Sequence, residues 1–537
     1  MSQFNNICLC LTSRISTIPT TCESIDVPTL SVGAARNAFH NIYKSGRGRP
    51  NQVDNILEQL DFHPLSITLL ATVAHHSKWD PNRLTREWER RRTDVLRTRH
   101  DKSLEATIEL SLGSPMFREL GPDARELLGV VAFLPQGIDE NNLDWLFPAQ
   151  PERANIFDNF CILSLAYRSN GFITMLAPLR DYLRPKDPTS SPLLCATKDH
   201  YFGRLSADVV IGRPGFEEAR WIASEDVNVE NLLDVFTSVD SGSADIWGVC
   251  AHFMEHLHWH KPRRVVLGPK IEALPDDHQF KPQCLIELSR LFHLIGNRVE
   301  SKRLLVHALK LFRERGDDIQ VAQTLRFISC ENRLPKEAIE QAKEALEIYK
   351  RRNHIMGQAR SWRELAWSFY SDKQLDAAEE AASQAIKLLS GTAERFDICE
   401  CHRVLGDVYG AKGEIERATG HYETALEIAS RFNLQDHLFW NNFGLSSLSF
   451  RVNKLDDAHT YIERAKSHVI DGSYQLGRVM EVQAMLWYKQ RRFEEAKSCA
   501  LEALKVYEET GATEVQRCRV VLSNIETAMK DPTTSRE

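Results

Sequence analysis

A spacing of 40 residues governs the second half of this chain. Trp362, Leu365, Ala366 and Phe369 fall at i, i+3, i+4 and i+7 and so mark one apolar face of a helix. After a short polar turn, Ala378, Ala382 and Ala385 mark a second helix whose small residues let the two approach closely. A step of 40 carries Ala378 to Ala418 and Ala458, and Ala385 to Ala425 and Ala465. The position of Ala366 becomes Gly406 and then Ser446, always small, while His402, Leu405 and Tyr409 take the places of Trp362, Leu365 and Phe369. A further step of 38 reaches Ala484, Trp487, Ala496 and Ala503. Backwards from Ala345, a step of 37 gives Ala308, and Leu325, Ile328, Ser329, Ala338 and Ala342 fill the unit between. The shortfall of three residues in that unit falls near 330–336 and predicts an irregular turn. Six helix pairs are countable over 281–511, and a helix over 515–529 is placed to cap the open end.

This pattern resembles the tetratricopeptide repeat, W-x2-L-G-x2-Y followed by A-x3-F, although that family's unit is about 34 residues. The resemblance implies a mostly α chain with an α-solenoid, in which each pair buries its face against its neighbours. It also implies a concave groove lined by first helices, open to a protein or peptide partner. The non-core residues of those helices are the candidate wall: Arg360, Arg363, Glu364, Arg403, Asp407, Asn441, Asn442 and Gln483.

With 537 residues the chain is too long for one core. Hydrophobic residues at 42% and charged residues at 26% suit ordinary globular domains. A formal charge of −7 gives no general reason to expect nucleic acid or an anionic membrane as partner. No apolar run reaches the roughly 20 residues of a membrane span, and MSQFNNICLCLTSR lacks the basic start and cleavage site of a secretory signal. The 12 cysteines are scattered without a C-x-x-C, which predicts reduced thiols and a cytoplasmic protein.

The first 190 residues carry a second pattern. A short strand at Ile7–Leu11 runs into Thr12-Ser13-Arg14, and a helix capped by Ser31 continues through Ala35, Phe39 and Tyr43. An amphipathic helix with Val53, Ile56, Leu57 and Leu60 precedes Phe62-His63-Pro64-Leu65-Ser66, where Pro64 fits a first helical turn. Helices are expected at 104–112, from 122 through the apolar run ending at Leu134, and at 139–147. Residues 164–175 read as a hairpin turning at Asn170-Gly171.

In this order the elements look like the NB-ARC class of signalling nucleotide switches, a STAND-type group known from resistance and apoptosis proteins and fungal relatives. The resemblance implies a C-terminal remnant of a nucleotide-binding domain (1–50), a helical subdomain (51–100), a winged-helix-like subdomain (101–190) and a helical bridge (191–280) before the array (281–530). By that resemblance Arg14 matches the arginine that senses the γ-phosphate, and Pro64 the proline beside adenine. The phosphate-binding G-x-x-x-x-G-K-[ST] is absent, so the cradle and lysine for the β- and γ-phosphates are missing. Residual ADP or ATP binding would therefore require such a loop upstream of Met1. Met175-Leu176-Ala177 stands where the family has Met-His-Asp. The third helix of the winged-helix-like part is acidic through Asp139, Glu140 and Asp144, which argues against DNA.

One other motif carries chemistry. His252-Phe253-Met254-Glu255-His256 spells H-x-x-E-H, the order of inverted zinc peptidases. It sits in a helical run without the peptidase surroundings, and an amphipathic helix with Val249, Phe253 and Leu257 inward explains it as well. The expectation is a non-catalytic interaction scaffold or sensing arm, open to self-association, without metal or cofactor. A degenerate nucleotide switch and a winged-helix DNA-binding regulator are the alternatives.

Overall fold

A computed structural model describes residues 30–44, 53–60, 62–95, 102–150, 152–206, 224–239, 244–260, 263–391, 395–469 and 473–530. Arg14 and the strand expected at its side lie outside these residues. The chain divides into two compact units, 1–197 and 198–537.

In the first unit, helices α1 (Val32–Ile42), α2 (Asp54–Gln59), α3 (Pro64–His76), α4 (Pro81–Val95) and α5 (Lys102–Leu112) surround one apolar cluster. Phe39, Leu57, Leu60, Ile67, Leu70, Trp79 and Trp88 fill it. The Ser31 hydroxyl accepts from Ala34 N at 3.3 Å, the expected N-cap. Arg36 forks onto Asp54 at 3.0 and 2.8 Å and ties α1 to α2.

After α6 (Pro115–Arg118), α7 (Ala124–Phe133) is almost wholly buried. The helix expected at 139–147 is shorter. Ile138 and Asp139 form β1, a 3-10 turn covers Glu140–Asn142, and only Leu143–Leu146 is α-helical (α8). The physical reason lies in the pairing: Ile138 faces Ile173 in an antiparallel ladder, and the Asp139 carboxylate caps the following turn through Asn141 N at 2.9 Å. Following α9 (Arg153–Ile162), β2 (Tyr167–Ser169) and β3 (Phe172–Thr174) form the hairpin expected there. Its turn residues Asn170 and Gly171 both have positive φ, 51° and 80°, as a two-residue type I′ connection requires. The sheet order is β1-β3-β2, and α10 (Ala177–Leu183) returns onto α7.

The second unit is a mostly α assembly ending in an α-solenoid. α11 (Pro192–Ser206) begins before the division, and α12 (Asp226–Val239), α13 (Ala244–His260) and α14 (Gly268–Ala273) lead into the pairs. The pairs are α15/α16 (Lys281–Leu294, Arg298–Arg315), α17/α18 (Asp318–Glu331, Pro335–Arg351) and α19/α20 (Ile355–Ser371, Leu375–Leu389). α21/α22 (Arg395–Lys412, Ile415–Arg431), α23/α24 (Gln435–Arg451, Leu455–Lys466) and α25/α26 (Gln475–Lys489, Phe493–Thr510) complete them, and α27 (Val515–Lys530) covers the last.

Backbone chemistry at the turns repeats with the helices. Gly296, Lys373, Gly413, Asn453 and Arg491, one in each of five within-pair turns, have φ between 61° and 86°. A left-handed residue there ends one helix and aims the next. The α17/α18 turn lacks one: Asn332 has φ −78°. The three missing residues are the last turn of α17, which spans 14 residues where α19 spans 17.

Small residues set the helix spacing. Ala342, Ala378, Ala382, Ala418, Ala425, Ala458 and Ala465 are all fully buried. Tyr422 fills the space left by two glycines, and a Cβ at Gly406 or Gly444 would come within 2.8 or 2.5 Å of its ring. Gly357 against Tyr349 and Gly477 against Tyr507 repeat the arrangement. By contrast Gly420, inside α22, has open space around the position of its Cβ.

Gly444→Ala should therefore destabilise the chain by about 1–3 kcal/mol through overpacking, whereas Gly420→Ala should stabilise it by about 0.5–1 kcal/mol. Chemical denaturation of both variants checks the pair, and equal effects would contradict the spacing described. Ala418→Leu should raise hydrogen exchange over 362–470 and leave 104–183 unchanged; a uniform rise would contradict the stated repeat register.

Candidate interaction groove

Consecutive first helices α17, α19, α21 and α23 pack on one another as well as on their partners. The outer helices α16 and α18 meet through long side chains such as Arg313 and Glu344, at 2.8 Å. First helices therefore form the inner, concave wall. Residues 360, 363 and 367 of α19, with 400, 403 and 407 of α21 and 440, 443 and 447 of α23, share one stripe on it.

A ladder of ion pairs runs along this stripe. Arg326 Nη1 donates to Glu364 Oε1 at 3.0 Å, and Arg363 Nη2 donates to the same oxygen at 2.5 Å. Arg363 continues to Asp397 Oδ1 at 2.5 Å, and Arg360 Nε reaches Asp397 Oδ2 at 2.9 Å. Arg403 Nε donates to Glu400 Oε2 at 3.0 Å, and the Trp367 indole donates to Glu400 Oε1 at 3.2 Å. His437 Nε2 lies 3.6 Å from Glu400.

Burial opposes ionisation of Glu400, yet Arg403, His437 and Arg363 together bring its pKa down to about 2. Burial likewise works against Glu364 and Asp397, and the adjoining guanidiniums still hold both below the usual carboxylate range. Asp407 and Asp436 are pushed upward by burial. The wall is rich in charge but nearly neutral within itself.

Between the charges stand half-buried rings. The Arg403 guanidinium lies 4.2 Å from the Trp367 ring centroid and 5.7 Å from that of Trp440. Arg478 lies over Phe443 at 5.1 Å. The Trp440 indole donates to Asp436 Oδ1 at 3.1 Å, which fixes the orientation of the ring.

The sequence-derived wall residues divide into two groups. Arg360, Arg363, Arg403 and Asp407 are only partly covered, and Asp407 accepts from the Tyr422 hydroxyl at 2.6 Å. Glu364, Asn441, Asn442 and Gln483 are buried rather than outside the core. The amides of Asn441 and Asn442 donate to the carbonyls of His437 and Leu438, both at 2.7 Å. Gln483 bonds to Glu463 at 2.5 Å. Sequence reasoning missed Arg326, Asp397, Glu400, Trp367, Trp440 and Phe443. The signal was present: at the step of 40, Arg360 becomes Glu400 and then Trp440, and Arg363 becomes Arg403 and then Phe443.

Elsewhere, Pro64 occupies the first turn of α3 and is exposed, with His63 as N-cap. In the H-x-x-E-H stretch of α13, His252 is exposed while His256 and His258 are buried beside Phe253 and Leu257, not on a surface stripe. Among the described residues no three His, Cys, Asp or Glu side chains converge as metal ligands would. No helix among them is long and apolar enough to cross a membrane. Cys399 and Cys401 are buried on α21, and burial raises both thiol pKa values.

No family model matches the sequence, and no curated protein matches it. Among solved structures, the chain is similar to a Signal Transduction ATPase with Numerous Domains that carries a tetratricopeptide repeat sensor, from Pyrococcus horikoshii. That similarity covers 94% of this chain and 70% of that one, at 13% identity and a TM-score of 0.47. It is also similar to a Rap protein complexed with competence and sporulation factor, over 69% of this chain and 98% of that one (13% identity, TM-score 0.41). A third similarity is to the Rap conjugation gene regulator of the plasmid pLS20, in complex with the Phr* peptide. It covers 73% and 96% of the two chains at 12% identity, with a TM-score of 0.39.

A pH dependence follows from the outer side of α21. His402 Nδ1 lies 3.0 Å from His421 Nδ1, and Tyr409 stacks on His421 with ring centroids 5.2 Å apart. Burial first, and then His421, lower the His402 pKa from 6.5 to about 4. The unfolded chain therefore takes up this proton before the folded chain does. The stability contribution is full above pH 6.5 and is lost as pH falls toward 4. His402→Asn, which copies Asn442 of the next pair, should flatten that slope in denaturation midpoints measured across the window; an unchanged slope would place its origin elsewhere.

Proposed function

We propose that the chain is a protein- or peptide-binding scaffold, the sensing arm of a STAND-type signalling switch, working in the cytoplasm without catalysis of its own. The observation that carries the reading is the concave stripe of Trp367, Trp440 and Phe443, half-exposed between guanidiniums whose charges are already paired. Aromatic and guanidinium faces suit an extended peptide bearing apolar side chains. Internal neutralisation means that the ligand need not bring a compensating charge. The part before the array is read as an NB-ARC-like helical subdomain (51–100), a winged-helix-like subdomain (101–190) and a bridge (191–280). DNA binding draws less support, because Arg168 on the hairpin is paired with Glu140 and Asp158.

Peptide display against the full chain tests the proposal. Selected peptides should lose at least about tenfold in affinity to Phe443→Ser, equivalent to about 1.4 kcal/mol, while Lys310→Ala on the outer surface leaves binding unchanged. Raising the salt should alter affinity little, since the groove charges are paired. Peptides that bind Phe443→Ser as tightly as the parent, or that release with rising salt, would refute the groove.

A further inference from the structure

In an open solenoid each pair touches only its neighbours. Among the described residues, this array departs from that rule where its first and sixth pairs meet. Tyr474 N, at the start of the sixth pair, donates to Leu294 O of the first pair at 3.2 Å. Thr513 N, in the connection before the capping helix α27, donates to Gly296 O at 3.0 Å. The first and sixth pairs are thus hydrogen-bonded through their backbones, the turn of the one against the start and end of the other.

The seam is built for close approach. Gly296 has φ +86°, and a Cβ there would lie 2.6 Å from Ala512 Cβ and 3.2 Å from Tyr474 Cβ. Across the same gap, a Cβ at Gly511 would lie 2.9 Å from Arg264 Nη2 and 3.8 Å from Asn297 Nδ2. Arg298 is sunk among Tyr474, Glu331 and Glu514 and bonds to Cys330 O at 3.3 Å. The apolar cluster on the sixth-pair side comprises Tyr474, Met480, Ala503, Tyr507, Ala512 and Cys518, flanked by Trp440, Leu476, Leu504 and Val515. No residue of the first pair belongs to it. Backbone hydrogen bonds, small residues and the half-buried Arg298 join the ends here, where the other interfaces are apolar helix packings.

Tyr474 belongs to the seam and to the groove at once. Its ring lies 6.4 Å from that of Trp440. The next residue, Gln475, donates at 2.6 Å to Asp436, the carboxylate that holds the Trp440 indole. A ligand that displaces Trp440 therefore pulls on the residue whose amide bonds the first pair.

We propose that the seam between 294–298 and 474/511–514 is a latch on the groove: it opens to admit the ligand and closes around it. The proposal rests on the groove reading above, and its test separates the two. In the full chain, Asn297→Cys with Gly511→Cys places two thiols across the gap within disulfide reach, and Arg264 can swing aside.

Hydrogen exchange is read first. The amides of Tyr474 and Thr513 should exchange faster than those inside α21 in the parent chain, and oxidation of the double-cysteine chain should slow them at least tenfold. Thr513→Pro, which removes one seam donor, should speed exchange at Tyr474 while leaving α21 unchanged. The probe for ligand is a fluorescein-labelled peptide selected on the parent chain. Its association and dissociation should both be at least tenfold slower on the oxidised than on the reduced double-cysteine chain. Equal rates in the two states would overturn the latch while leaving the groove intact, and so would seam amides that exchange only together with α21. If no peptide binds even the reduced chain, the groove reading falls and takes the latch with it.

Discussion

Close approach of paired helices is the constraint on which the array depends. Two helices can lie side by side at short range only where neither presents a large side chain at the crossing. Alanines on the second helices supply that condition at every pair, and glycines supply it where a tyrosine ring must fit between helices. Tyr422 shows the principle. Its ring occupies the volume that two side chains would otherwise fill, and its hydroxyl reaches Asp407 on the wall. One residue thus links the spacing of the helices to the polar surface they display.

The ionic ladder is a consequence of that spacing. Once α17, α19 and α21 stand close together, their inward side chains are partly taken from water, and an isolated charge there would be costly. Alternation of Arg326, Glu364, Arg363 and Asp397 across three helices pairs each guanidinium and carboxylate with a neighbour of opposite charge. Such pairs add little net stability beyond what a hydrophobic isostere would give. They instead fix the relative positions of consecutive helices and remove long-range attraction from the groove.

The helices were legible because their cause is local and periodic. Ala378, Ala418 and Ala458 recur at equal steps, and Asn170-Gly171 has only one economical turn to adopt. The short strand at Ile138 was not legible, because its partner Ile173 lies beyond two helices and a hairpin strand, and two residues give no period. The candidate wall was only partly legible. Arg363 and Arg403 were named together with Asn441 and Asn442, all as non-core residues of first helices, and Asn441 and Asn442 are buried. Their amides are in fact spent on carbonyls one turn back in their own helix. Asp397 and Glu400 escaped notice because their role appears only when two adjacent pairs are superposed in register.

Contact between the first and sixth pairs bears on how the repeat can vary in length. A solenoid with free ends lengthens or shortens by whole units, since a duplicated pair finds the same neighbours as its parent. Here the turn at Leu294–Gly296 must meet Tyr474 and Thr513. An added or deleted pair would carry those atoms past each other by a full repeat width. Six pairs preserve that contact, and the first helices vary in length within it, 14 residues in α15 and α17 against 17 in α19.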